Sequence, residues 1–210
     1  MEKFKHFIWD WNGTLFNDVA FSSVLLNRLL TEQGITQLSL EKYREVFHFP
    51  IIEYYKLAGL DFEIESFESI AVRWMKWYED GKYKCELYED AAETLQLLKN
   101  NGVQQYVLSA YSHHTLEEVL LHYDVRKYMN HVSGLDNIYA GSKVDLGKSM
   151  MKQMDANPAD IVLIGDTTHD FEVAQALGIN CILVARGHQA KSTLEKCGCE
   201  VVEDFSSLIN

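Results

Sequence analysis

Short apolar runs bounded by turn residues recur along the chain, at residues 4–9, 103–108, 131–135, 161–164 and 181–184. Runs of that length and composition read as buried strands. Amphipathic segments separate the later ones. Asp90-Ala-Ala-Glu93 has the form of a capping box opening a helix that Gly102 ends. Thr115-Leu-Glu-Glu118 has the same form, and so does Ser142-Lys-Val-Asp145, which opens a helix running to about Met154. A further helix covers residues 171–177 and is closed by Gly178. Cys197-Gly-Cys199 reads as a turn leading into a strand, not as a metal or redox pair, because no His accompanies it. Strands alternating with helices predict an α/β fold, a Rossmann-like parallel sheet covered on both faces.

One stretch breaks the alternation. Between Phe16 and Tyr83 the strand signal vanishes and helical patterns follow one another: 18–33 closed by Gly34, 39–47, a helix from Pro50 to Gly59, and an aromatic-rich helix over 63–80 ended by Gly81. The predicted organisation is therefore a core built from 1–16 and 84–210, with a helical block, 17–83, inserted after the first strand.

Composition narrows the partners. The 210 residues carry a formal net charge of -12 with 47% apolar content. So acidic a surface repels nucleic acid and anionic membrane, and neither is expected as a partner. The start, MEKFKHFIWDW, does not read as a leader peptide, and no apolar run approaches the roughly 18 residues that span a bilayer. The four cysteines are scattered and suggest no disulfide framework. A cytoplasmic protein, monomeric or weakly dimeric, is the expectation.

Ligands of such sheets bind beyond the carboxyl ends of the strands. The first strand ends in Asp10-Trp-Asn-Gly-Thr-Leu15, the second in Ser109-Ala110-Tyr111, and the fourth in Gly165-Asp-Thr-Thr-His-Asp170; Lys143 stands at the start of the helix before the fourth. Carboxylates, a hydroxyl and an ammonium would thus meet at one end of the sheet. In this order the motifs resemble those of the haloacid dehalogenase superfamily. The helical insertion is similar to that family's cap, and the whole pattern is closest to phosphoglycolate-phosphatase-like members.

The resemblance implies a phosphatase. Asp10 would attack phosphorus and carry an acyl phosphate that water then cleaves. Asp10, Asp166, Asp170 and the backbone carbonyl of Asn12 would hold Mg²⁺, whose hard-oxygen preference suits carboxylates. Ser109 and Lys143 would bind the phosphoryl oxygens, with backbone N–H groups around Trp11 and Asn12, and Ala110 beside Ser109. Lys148 competes with Lys143, but lies more than a turn further along the helix. A small phosphorylated metabolite is the expected substrate.

At one position the pattern is broken. Most phosphatases of this type carry a second Asp two residues after the nucleophile, as general acid and base, and here Asn12 stands there. An amide cannot deliver a proton, and loss of such help costs about 10²- to 10⁴-fold. A good leaving group, a proton from another residue, or a binding protein with little turnover would each account for it. His169 and His188 are candidate donors, though an ordinary polar loop histidine describes each; His113 and His114 are weaker. A phosphonate-cleaving enzyme would need a cap lysine, for which Lys42 and Lys56 are available. Arg44, Tyr54, Tyr55 and the loop Phe47-His-Phe-Pro50 are candidate specificity residues, whereas Phe67, Trp74 and Trp77 read as packing.

Overall fold

A computed structural model describes residues 4–135 and 142–208. Strand β1 (His6–Trp9) is followed by a two-residue strand, β2 (Phe16–Asn17), and four helices: α1 (Val19–Glu32), α2 (Leu40–Val46), α3 (Ile51–Ala58) and α4 (Phe67–Gly81). Strand β3 (Glu86–Leu87) closes this block. Alternation then begins with α5 (Ala91–Asn100), β4 (Gln104–Ser112), α6 (His113–His122), β5 (His131–Leu135) and α7 (Lys143–Gln153). It continues through β6 (Ile161–Gly165), α8 (Thr168–Leu177), β7 (Asn180–Val184), α9 (Lys191–Leu194) and β8 (Glu200–Val202).

Six strands form a parallel sheet in the order β5-β4-β1-β6-β7-β8. The strand order reverses direction at β1, which lies between β4 and β6. Such a switch point opens a crevice at the carboxyl ends of those strands. Side chains alternate across the sheet. Phe7 and Trp9 pack on one face with Val107, Ile164 and Leu95, while Ile8 packs on the other with Leu108, Leu163 and Met150. Both faces are dry, which is why the strands read as unbroken apolar runs. Each such side chain contributes roughly 1.5–3 kcal/mol on burial.

The inserted helices have an apolar cluster of their own, with Val19, Leu26, Leu30, Tyr43, Tyr55 and Ile70 among its buried members. Entry and exit of the block are tied by β2 and β3, which pair antiparallel through Phe16↔Leu87 and Asn17↔Glu86. Two-residue strands carry no periodicity, so the pattern does not reveal them. Among the described residues, no helix is long and apolar enough to cross a membrane.

Local expectations fail where tertiary partners compete. Asp90 does not cap α5 with its side chain. Its carboxylate instead accepts from the Arg186 guanidinium at 2.9 and 2.7 Å and from the Phe205 N–H at 2.9 Å, a charge-assisted set stronger than one cap bond. Strand β4 runs on to Ser112, with irregular register between Leu108 and Ser112, so Ser109 lies within it instead of after it. Helix α6 consequently starts at His113, and Thr115 falls inside its first turn. The capping box of Ser142 and Asp145 is present. Thr167 and Asp170 form another, which starts α8 at Thr168, three residues before the predicted start.

Candidate active site

Four segments converge at the switch point. Asp10 follows β1, its N–H bonded to Ile164 O at 2.8 Å. The Ser142 capping box fixes the start of α7 and so places Lys143 at its first residue. Lys143 Nζ lies 2.5 Å from Asp10 Oδ1 and 2.6 Å from Asp170 Oδ1. Asp170 can make that contact because its other oxygen serves the box, accepting from the Thr167 N–H at 3.1 Å and hydroxyl at 2.7 Å. Asp166 accepts from Thr14 Oγ1 at 2.9 Å and from the His188 N–H at 2.7 Å. Close backbone approach requires glycine here. Gly13 holds a left-handed φ of 71°, and a Cβ on it would strike Asp166 and the His188 ring. A Cβ on Gly187 would strike Asp166 as well.

Asp10, Asp166 and Asp170 are buried, with ligand oxygens all within 4.8 Å of one another. Burial, reinforced by the other two carboxylates and opposed by Lys143, pushes Asp10 up to about 7. Burial likewise raises Asp166 to about 6. Burial acts upward on Asp170 too, but the Lys143 ammonium outweighs it and holds that carboxyl below its ordinary value. Burial acts to lower Lys143, and the two carboxylates around it raise it instead. One ammonium among these carboxylates leaves an excess of buried negative charge. A cluster of hard oxygen donors with unbalanced charge fits a divalent cation of the Mg²⁺ type.

Asn12 belongs to a second cluster that sequence reasoning did not assemble. Its Nδ2 donates to Asp18 Oδ2 at 2.8 Å and to Tyr78 Oη at 2.6 Å. Tyr78 in turn donates to Asp18 Oδ2 at 2.7 Å, and the Gly13 N–H donates to Asp18 Oδ1 at 3.0 Å. His188 Nε2 stands 3.3 Å from Asp18 Oδ1, and Tyr43 Oη lies 2.8 Å from His188 Nδ1. Burial pushes the Asp18 carboxyl up, but His188 and the hydrogen bonds from Tyr78 and Asn12 outweigh it and hold the group low. Burial pushes His188 down; Asp18 beside it, then Asp166 and Asp10, raise it above its ordinary value. His188 is therefore not a polar loop histidine: at 6% exposure it is part of the site. A helix-starting Asp, an aromatic on an apolar helix face and a His after a strand gave no joint signal, because only the fold brings them together.

A cavity of about 360 Å³ lies over both clusters. Asp10, Asn12, Ser109, Ala110, Lys143, Asp166 and Asp170 all line it. Ser109 Oγ accepts from the Tyr111 N–H at 3.1 Å, so its hydroxyl is left to donate. Trp11 does not line the cavity; its indole is buried, stacked on Phe16 at 5.1 Å. Lys148 is exposed and does not line the cavity, whereas Lys143 is buried between Asp10 and Asp170. Of the expected specificity residues, Phe47, Phe49, Tyr54 and Tyr55 line the cavity and Arg44 does not; it donates to the carbonyls of Gly187 and Arg186 at 2.9 and 3.0 Å. Phe67 and Trp74, expected only to pack, line it too, while Trp77 lies under Arg28. His169 also lines it, His114 is exposed on α6, and Lys42 and Lys56 sit in exposed pairs with Glu45 and Glu53.

Fold and site together define a class: a Rossmann-like sheet with a helical insertion after β1 and a carboxylate-centred site at its switch point. Residues 7–184 match the family model for haloacid dehalogenase-like hydrolases, and the chain belongs to that family. Phosphoglycolate phosphatase 1 of Pseudomonas aeruginosa is 23% identical over 211 residues, covering 96% of this chain and 77% of that protein. Tyrosine-protein kinase PtkA of Mycobacterium tuberculosis is 26% identical over 203 residues, covering 96% and 69%. Among solved structures, the haloacid dehalogenase-like hydrolase SP0104 from Streptococcus pneumoniae superposes with a TM-score of 0.83 at 17% identity, over 100% of this chain and 98% of that one.

Proposed function

We propose that this protein is a Mg²⁺-dependent phosphatase that hydrolyses a small phosphorylated metabolite through an aspartyl phosphate on Asp10. The observation that carries the reading is the Lys143 ammonium held between Asp10 and Asp170 inside a buried carboxylate cluster. Family membership and relatives named phosphoglycolate phosphatase and enolase-phosphatase support it.

In this reading Asp10, Asp166, Asp170 and the Asn12 carbonyl hold the metal, which when bound offsets repulsion between carboxylate and phosphate dianion. Lys143 opposes the burial that raises the Asp10 carboxyl and aims the carboxylate. The Ser109 hydroxyl donates to a phosphoryl oxygen and, with Lys143, orients phosphorus for attack. Asp10 bonds to phosphorus as the ester oxygen departs, and water then attacks the acyl phosphate to release inorganic phosphate and restore the carboxylate. Residues 17–83 act as a cap that excludes bulk water over a core formed by 1–16 and 84–210. The free thiols of all four cysteines suit a reducing compartment, and we assign the protein to the cytoplasm.

Asn12 favours a second reading, a phosphate-ligand binder with little turnover. Phosphate release from a panel of metabolite esters, with and without Mg²⁺ and with Asp10→Asn as control, separates the two. Metal-dependent release that disappears in Asp10→Asn supports the enzyme. No such release from any ester leaves the binder.

A further inference from the structure

Much of the cavity wall contributed by the helical block is aromatic, and several of its tyrosine hydroxyls are engaged with protein partners. Phe47, Phe49, Phe67, Trp74 and Met75 line it from the helical block, and Tyr111 from β4. The Tyr111 hydroxyl donates to Glu79, the Tyr78 hydroxyl to Asp18, and the Tyr43 hydroxyl meets His188. What these tyrosines present to the cavity is ring. Lys143 is the only lysine or arginine among the described lining residues, and it is occupied by Asp10 and Asp170. Of the cap cations beside this wall in sequence, Arg73 is paired with Glu32 and Glu65, Lys76 does not line the cavity, and Arg44 is bound to two carbonyls; His169 faces Glu172 at 3.4 Å. An ester whose alcohol carries a carboxylate, as glycolate does, would find no free cation and would bury an unpaired charge.

The second observation is independent of the wall. The Asn12 amide holds no proton to give, and its Nδ2 is already engaged by Asp18 and Tyr78. Both His188 nitrogens face protein partners as well. Within this cluster every donor is engaged, and Nδ1 of His169, the remaining lining histidine, faces Glu172, which favours a leaving oxygen that departs without an acid. A phenol, with a pKa near 10 like that of tyrosine, leaves readily as its oxide. An alkoxide, whose conjugate acid has a pKa close to water's 15.7, does not.

Resting on the phosphatase reading, we propose that the substrate is a small aryl phosphate, its ring seated against Phe49, Trp74 and Met75 and its phosphate on Asp10. The Asp10 carboxylate bonds to phosphorus and the P–O(aryl) bond breaks, so the aryl oxide carries away the electron pair and takes its proton from water. A second water cleaves the acyl phosphate, and ester plus water become phenol plus inorganic phosphate.

Two measurements test this separately from turnover in general. By calorimetry with Mg²⁺ present, phenylphosphonate should bind at least about tenfold more tightly than methylphosphonate or phosphonoacetate, the gain expected from burying one ring. Phe49→Ala and Met75→Ala, at half-exposed positions where folding is little affected, should each reduce phenylphosphonate affinity by roughly three- to tenfold. Phosphonoacetate binding as tightly as phenylphosphonate would overturn the proposal even if the protein proves an active phosphatase. In kinetics, Asp10-dependent kcat/KM for phenyl phosphate should exceed that for phosphoglycolate by about 10²-fold or more, with benzyl phosphate between them. Equal rates would overturn it too, as would a phosphotyrosyl peptide cleaved faster than phenyl phosphate, which would move the substrate to a protein. Loss of all turnover with the phosphonate preference intact would sink the hydrolase reading and leave the aryl-selective pocket.

Discussion

Replacing Asn12 by Asp restores the missing acid in a setting the structure makes unusual. The new carboxyl would stand where the amide nitrogen now lies 2.8 Å from Asp18 Oδ2. Two carboxylates at that separation repel by about 6 kcal/mol at an effective dielectric constant of about 20. They would therefore share one proton at neutral pH and titrate as a pair. A carboxyl that keeps its proton at neutral pH is what a general acid requires. The expected result is a gain of about tenfold or more on benzyl phosphate, with phenyl phosphate changed by less than about threefold, because only the alkoxide needs the proton. Stability provides an internal check. The shared proton gives the folded state a carboxyl pKa above the unfolded value near 3.9, so stability is fully present below about pH 4 and is lost as pH rises. The cost relative to the parent should reach about 4 kcal/mol at pH 7 and only about 1.5 kcal/mol at pH 5. Chemical unfolding at the two pH values, beside steady-state phosphate release, reads both effects. Equal gains on the two esters, or a stability loss independent of pH, would refute the reasoning.

Lys143→Ala strips the counter-charge from Asp10 and Asp170 and should lower kcat by about 10²- to 10³-fold, whereas Lys148→Ala, at an exposed position, should stay within about threefold; reversing that order would move the site lysine. Tyr78→Phe removes the hydroxyl that donates to Asp18 and accepts from Asn12, at an expected 1.5–3 kcal/mol or so in urea unfolding; a loss below about 0.5 kcal/mol would show that the cluster does not need it. Mg²⁺ at about a hundred times its dissociation constant should stabilise the fold by roughly 2.7 kcal/mol, reversibly with chelator, and Asp166→Asn should abolish most of that gain; an unchanged melting temperature would count against the carboxylate cluster as the metal site.

What the sequence reveals here depends on how local the cause is. Asp10, Asp166 and Asp170 are legible because a dry strand announces its own end and the turn after it must carry whatever faces the crevice. Lys143 is legible because Ser142 and Asp145 mark a helix start four residues wide. The helical insertion is legible because a period of 3.6 replaces short apolar runs. The cluster around Asn12 is not. Asp18 comes from the start of α1, Tyr78 from α4 and His188 from the segment after β7, and no pattern within any one of them encodes the meeting. Aromatic spacing on α4 predicts that Trp74 and Trp77 pack, and both do so while partly buried, but it cannot say that Trp74 borders a cavity while Trp77 faces Arg28. Asp90 shows the converse failure: a well-formed capping box is overridden once a guanidinium arrives from 96 residues away.

The central claim is that Asp10 becomes phosphorylated during turnover. Phenyl phosphate mixed with enzyme and Mg²⁺, quenched in acid within the first turnover and digested, should yield the peptide containing Asp10 with the added mass of one phosphoryl group. That adduct should be absent without metal and absent in Asp10→Asn. Phosphate release proceeding at full rate with no adduct on that peptide, or with the adduct on another residue, would contradict the account.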